Sequence, residues 1–312
     1  MKFVIRKFLI ILLFLAAFSS SCENEKTDLI IFHAGSLSKP LLDVEKAFEK
    51  EYPHINLVRE ADGSRVCARK ISDLKRDCDI MLSADYKVIE NILMPEYADW
   101  VLNFANNEIV IAYTEESKYR NELTPNNWFK ILEYDDVSFG RTEPNADPCG
   151  YRAILTMKLQ KILNNDLSIE NLVDKSGNYV RPTENEISTL LKLNEIDYAF
   201  LYKSVAIQHG LEYLKLSDSV NLSNKNLSNF YSNVKVELSG KNPDETIFQY
   251  GVPIIYGLTI PKNSKNPKLA KLFIEFLISE SAKDIFSNNH QNIIEPYFPK
   301  SSKNPPTELI SK

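Results

Sequence analysis

Twice near its start the chain runs from a short β-branched apolar stretch, through a Gly-Ser pair, into a segment of helical periodicity. DLIIFHA (28–34) passes through Gly35 and Ser36 into SLSKPLLDVEKAFEKEYP (36–53). INLVREA (55–61) passes through Gly63 and Ser64 into SRVCARKISDLKR (64–76). Strand runs alternating with helices call for crossover connections, which lay strands side by side in a sheet covered by helices. On the first helix Leu37, Leu41, Val44 and Phe48 share one face, and Pro53 follows its end. On the second, Val66, Cys67, Ile71 and Leu74 are the expected buried positions. CDIMLSAD (78–85) reads as a third strand and KVIENIL (87–93) as a short helix. The unit is α/β with a mostly parallel sheet.

NEIVIAY (107–113) is apolar enough for a central strand. NWFKILE (127–133) opens a stretch of different character. VSFGRTEPNADPCGYRAILTMKLQKIL (137–163) then reads as strand, polar loop and helix. EISTLLKLN (186–194) is a helix, and IDYAFLYKSVAIQHG (196–210) a strand running into a helix. FYSNVKVEL (230–238) and GVPIIYGLTI (251–260) read as strands. NPKLAKLFIEFLISESAKDIF (266–286) reads as one long amphipathic helix, with Leu269, Leu272, Phe273, Phe276 and Leu277 on its apolar face. A length of 312 residues suits two domains. The expected division is one α/β lobe of 27–109 plus 251–312 and another of 110–250. The chain then crosses twice between lobes, near 107–113 and 248–256. Paired crossovers make a hinge, and the cleft between lobes is the natural ligand site.

The first residues set the compartment. Lys2, Arg6 and Lys7 precede the apolar run FLIILLFLAAF (8–18), too short to span a bilayer comfortably, and small polar residues follow. This is the pattern of an export signal, expected over 1–21. Cys22 is the expected lipidated first residue of the mature chain, with 22–26 as a polar tether. Removing three basic residues and no acidic one takes the net charge from −5 to −8, so nucleic acid is not an expected partner. Cys67, Cys78 and Cys149 have the wrong spacing for a closed zinc site. Export permits one disulfide among them, and burial as small apolar residues is equally compatible.

Polar groups gather where strands turn into helices. Ser36 and Ser64 each offer a hydroxyl beside unpaired helix N-terminal amides, an anion site that needs no basic residue. Ordinary N-capping is the competing role. Asp147 in NADPCGYR (145–152) sits at a third such turn, as a cap or a site residue, and Arg152 could reach an anion or form an internal ion pair. Glu184 and Glu186 lie at a fourth, where negative charge favours the following helix. Tyr202 follows a strand and could aim its hydroxyl into the cleft.

Read together, HAGSLSKPLLDVEKAFEKEYP, GSRVCARKISDL, CDIMLSADYKVI, MPEYADWVLNFANNEIVIAYT, DPCGYR, DYAFLYKSVAIQHGLEY and GLTIPKN resemble, in this order, the tungstate/molybdate-binding proteins of ABC importers, in the branch typified by archaeal members. The resemblance covers nearly all of the mature chain. It implies a two-lobed, type II periplasmic-binding-protein fold, each lobe a mixed sheet flanked by helices. It also implies a bound oxyanion whose metal takes four oxo groups and two protein carboxylates. Matched residue by residue, those carboxylates are Asp147 and Glu184, the latter placed by its spacing from Tyr202. The hydrogen-bond donors are Ser36, Ser64 and Tyr202. A buried dianion needs donors, because its desolvation must be offset. Two carboxylates beside it would repel unless each coordinates the hexavalent metal, and they disfavour sulfate and phosphate, whose central atoms take no further ligands.

The expected function is extracytoplasmic capture of molybdate and/or tungstate and delivery to a membrane-embedded ABC permease, by a lipid-anchored, monomeric protein that is no enzyme and carries no cofactor. One alternative is another ligand, such as sulfate, phosphate or a small organic acid. A second is a secreted hydrolase pairing Ser36 or Ser64 with His33, His54 or His209, although neither serine lies in G-x-S-x-G. A third is a purely structural surface lipoprotein.

Overall fold

A computed structural model describes residues 26–164, 169–242 and 244–311. The expected signal segment and the Cys22 lipidation site lie outside the described residues. The strands are β1 (Thr27–Ala34), β2 (Ile55–Asp62), β3 (Ile80–Ser83), β4 (Leu102–Asn106), β5 (Ile109–Tyr113), β6 (Phe139–Thr142), β7 (Val180–Arg181), β8 (Tyr198–Tyr202), β9 (Glu212–Lys215), β10 (Lys235–Ser239), β11 (Thr246–Tyr250), β12 (Ile255–Thr259) and β13 (Asn292–Tyr297). The principal helices are α1 (Ser38–Glu51), α2 (Ser64–Ser72), α3 (Trp128–Glu133), α4 (Pro148–Leu163), α5 (Ile169–Ser176), α6 (Glu184–Lys192), α7 (Lys203–Gln208), α8 (Pro267–Leu277) and α9 (Glu280–Asn288).

Two lobes result, each a mixed sheet flanked by helices. The first sheet has the order β13-β4-β12-β3-β1-β2, and the second β7-β6-β8-β5-β9. In the first, β1 runs parallel to β2 and β3, as the two Gly-Ser crossovers require. The remaining pairings, of β12 with β3 and β4 and of β13 with β4, are antiparallel. The mostly parallel arrangement therefore holds for the first unit and not for the whole sheet, because the strands returning from the second lobe enter from the opposite direction. β10 and β11 pair separately as an antiparallel ribbon.

The periodicity of α1 translates directly into packing: Leu37, Leu41, Val44 and Phe48 are fully buried. Phe48 meets Phe273 and Phe276 of α8 edge-on, at 5.2 and 5.4 Å between ring centres, so α8 packs on α1 beside the first sheet. Three local expectations change. α2 ends at Ser72, which leaves Leu74 exposed, and Arg65 fills a buried place instead. The single helix expected over 266–286 is two, because Ser279 caps α9 by accepting the Ala282 amide at 3.4 Å. The stretch 230–238 starts as a helical turn, and its strand begins only at Lys235. Cys67, Cys78 and Cys149 are buried free thiols, the packing role rather than a bridge.

Candidate functional site

The site is assembled from strand ends. β1 and β2 each stop at a turn into a helix, and so bring Ser36 and Ser64 to one edge of the first lobe. β6 and β8 do the same on the second lobe for Asp147, at the start of α4, and for Tyr202, the last residue of its strand. Glu184 is the first residue of α6. All five are buried, none more than 1% exposed.

Both serines serve as acceptors for protein groups. Ser36 Oγ accepts the Tyr256 hydroxyl at 3.0 Å, and Ser64 Oγ accepts the Ala84 amide at 2.9 Å. Each thereby keeps its own hydroxyl hydrogen for a further acceptor. Neither caps its helix through the side chain. Tyr202 is held likewise: its oxygen accepts Arg152 Nη1 at 2.5 Å, leaving the phenolic hydrogen to point elsewhere.

The carboxyls have a different environment. Asp147 caps α4, its Oδ1 accepting the Cys149 amide at 2.7 Å and the Thr142 hydroxyl at 3.4 Å. Burial pushes it up to about 7 against the opposing pull of that amide and of Arg152. Glu184 fares worse. Neither of its carboxyl oxygens makes a well-formed hydrogen bond among the described residues. Burial first, then the charge of Asp147, push it well above the usual carboxylate range. The nearby Tyr202 amide, Cys149 thiol and Arg152 oppose the shift without overcoming it. Glu186, two residues on, is exposed and accepts the Thr183 hydroxyl at 3.2 Å, outside the site.

Arg152 forms the internal ion pair rather than standing free. Its guanidinium donates to the Ala84 carbonyl at 2.8 Å and lies 3.0 Å from the Asp85 carboxylate. Tyr256, Ala84, Asp85 and Tyr151 were not anticipated. The strand-end logic applied to Ser36 would have found Asp85, two residues beyond β3. Tyr256 lies inside β12, and no local motif marks it.

The two lobes touch around this site. Arg65 donates through its backbone to the Ala146 carbonyl at 3.1 Å and through its side chain to the Asn145 and Ser239 carbonyls at 3.1 and 2.5 Å. A Cβ on Gly63 would lie 2.3 Å from the Ala146 oxygen, so the close approach depends on glycine. Of the three histidines considered for a triad, His54 is exposed and the other two have other partners. His33 Nδ1 faces the Ala34 carbonyl at 2.9 Å, and His209 Nε2 faces Asn185 at 3.0 Å.

Comparisons with known proteins agree with this architecture. A family model described as bacterial extracellular solute-binding protein matches residues 29–290. The chain is 42% identical to a solute-binding protein of Petrotoga mobilis over 99% of its own length and 97% of the relative's. It is 39% identical to the molybdate/tungstate-binding protein WtpA of Thermococcus kodakarensis, covering 95% of this chain and 93% of that one. Among solved structures, the periplasmic molybdate-binding protein of Azotobacter vinelandii superposes with a TM-score of 0.61 at 14% identity, covering 84% of this chain and 98% of that one. The sulfate-binding protein SubI of Mycobacterium tuberculosis superposes with a TM-score of 0.63 at 11% identity, covering 88% and 89%. At such identities these structural likenesses bear on the fold alone.

Proposed function

The chain belongs to the bacterial extracellular solute-binding protein family, and from that premise we propose that it captures molybdate and/or tungstate outside the cytoplasmic membrane and hands the oxyanion to an ABC permease. The observation that carries the reading is Glu184: a buried carboxyl with no well-formed hydrogen bond among the described residues, beside a second buried carboxyl and three hydroxyls with hydrogens to give. A buried, unsatisfied carboxylate is costly in a fold that has no use for it. The metal of an oxyanion that accepts extra oxygen ligands supplies that use. Asp147 and Glu184 then coordinate the metal, while Ser36, Ser64 and Tyr202 donate to its oxo groups.

The mechanism is a population shift. A ligand held by groups from both lobes stabilises their closure, and the permease reads the closed shape. The lobes on this reading are 27–109 plus 251–312 and 110–250, with the signal over 1–21 and a lipid anchor at Cys22 holding a monomer at the membrane through a tether over 22–26. No covalent step is involved. The solute-binding family, rather than a catalytic arrangement, supports this.

Thermal unfolding tests the reading. Molybdate and tungstate should each raise the melting temperature, by RT ln(1 + [L]/Kd), while sulfate at the same concentration changes little. Equal shifts from all three would favour a plain tetrahedral-anion site.

A further inference from the structure

We infer that Arg152 is a positioning residue that couples occupancy of the site to closure of the lobes, with Asp85 and Tyr151 completing a buried latch across the cleft. The inference rests on the oxyanion-binding reading above and goes beyond it by assigning residues that touch no ligand.

The geometry is specific. Tyr151 and Arg152 lie in the first two turns of α4, on the second lobe. Ala84 and Asp85 follow β3, on the first. A single guanidinium nitrogen, Arg152 Nη1, donates both to the Tyr202 hydroxyl at 2.5 Å and to the Ala84 carbonyl at 2.8 Å. Its neighbour Nη2 is 3.0 Å from Asp85 Oδ2, off the hydrogen-bonding axis, and the same oxygen accepts the Tyr151 hydroxyl at 2.6 Å. Both side chains of the ion pair are essentially inaccessible, 1% exposed for Arg152 and 0% for Asp85.

Two consequences follow from chemistry alone. First, the Tyr202 oxygen receives a cationic donor, so its own hydrogen turns away from Arg152. Arg152 thus orients the hydroxyl that the ligand meets. Second, the Ala84 peptide is gripped at both ends, since its amide donates to Ser64 Oγ at 2.9 Å while its carbonyl accepts Arg152. The chain of contacts runs from Tyr202 on one lobe to Ser64 on the other without a break. The links from Arg152 and Tyr151 to Ala84 and Asp85 exist only when the lobes are together. Separating the lobes exposes Arg152 and Asp85 to water, where each is solvated independently, so the contribution of the latch bears on closure and not on the fold of either lobe. Asp85 Oδ1 is separately engaged by the Lys87 amide at 2.9 Å, which fixes the carboxylate before the lobes meet.

Such a latch acts after encounter, and therefore on release rather than on capture. The test uses Asp85→Asn, which keeps the acceptor for Lys87, and Tyr151→Phe, which removes only a hydroxyl. Sodium tungstate and sodium molybdate are the ligands in rapid-mixing kinetics. A dye pair at exposed Leu74→Cys and Leu193→Cys, in a Cys22→Ser background, reports the separation of the lobes. Each variant should release ligand about tenfold faster with an association rate within twofold of the unsubstituted protein. A residue that merely supported the fold would lower the melting temperature without splitting the two rates. Release at the unsubstituted rate in both variants would overturn the latch. If Asp85→Asn does not fold, Tyr151→Phe decides alone. If the unsubstituted protein binds neither oxyanion, the functional reading fails. The latch is then judged on the ligand-free dye separation, which should widen in Tyr151→Phe; an unchanged separation would overturn it.

Discussion

The negative charge of Asp147 pushes the Glu184 carboxyl upward, and neither group is hydrogen-bonded to a cation among the described residues. Two carboxyls placed this way oppose each other in the folded protein. On the proposed reading they are a site kept ready for the metal of the oxyanion.

A site that costs stability should reveal itself when neutralised. Glu184→Gln should raise the melting temperature of the ligand-free protein by about 2 °C, on the order of 1 kcal/mol, and weaken tungstate binding at least tenfold. Calorimetric unfolding with and without ligand measures both. A fall in ligand-free stability would mean that the carboxyl is satisfied in the fold and is not held in reserve.

Asp147→Asn keeps an acceptor for the Cys149 amide, so α4 retains its cap. What it loses, on the proposed reading, is a ligand for the metal. Tungstate affinity should fall about a hundredfold, against about tenfold for Ser36→Ala, which removes one donor. The reverse ranking in a titration would point to a tetrahedral anion held by hydrogen bonds alone.

On the proposed reading, closure brings Gly63 against Ala146. A methyl at Gly63 would sit 2.3 Å from a backbone oxygen of the opposite lobe. Gly63→Ala should weaken ligand binding about tenfold while leaving ligand-free stability nearly unchanged, because the clash arises only when the lobes meet. Small-angle scattering should show the variant staying open under ligand. Full closure would contradict the assignment.

His33 should make stability sensitive to acid. Burial first, and then Arg59, lower it from 6.5 to about 4, against the favourable Ala34 carbonyl. The unfolded chain therefore binds more protons between those values. The stability from neutral His33 is complete above pH 6.5 and is lost as pH falls towards 4. Asp147 has the opposite sign: with its pKa raised from 3.8 to about 7, its contribution is full below 3.8 and declines as pH rises through 7. His33→Gln should flatten the acid limb of a denaturant-melt series between pH 6.5 and 4. An unchanged limb would exclude His33 as its cause.

The alternation of strands and helices was legible because buried strands and amphipathic helices repeat at fixed periods. Leu37, Leu41, Val44 and Phe48 in α1 are the clearest case. β4, β7, β9, β11 and β13 were not expected: β7, β9 and β13 lie at sheet edges and β11 in a two-stranded ribbon, where no buried face imposes a period, while β4 is interior and buried but its LNFAN carries no β-branched residue to mark it. Ser36, Ser64, Asp147 and Tyr202 stood out because strand ends carry them. Glu184 needed the family resemblance, since an acidic residue at a helix start looks the same when exposed. The roles of Asp85 and Tyr256 emerge only from contacts over long sequence separations, such as Ser36 with Tyr256 and Asp85 with Tyr151.

Isothermal titration of the purified protein with molybdate, tungstate and sulfate tests the central claim most directly. The account predicts one-to-one binding of molybdate and/or tungstate that a thousandfold excess of sulfate does not displace. Displacement by sulfate, or heat from sulfate alone, would contradict it.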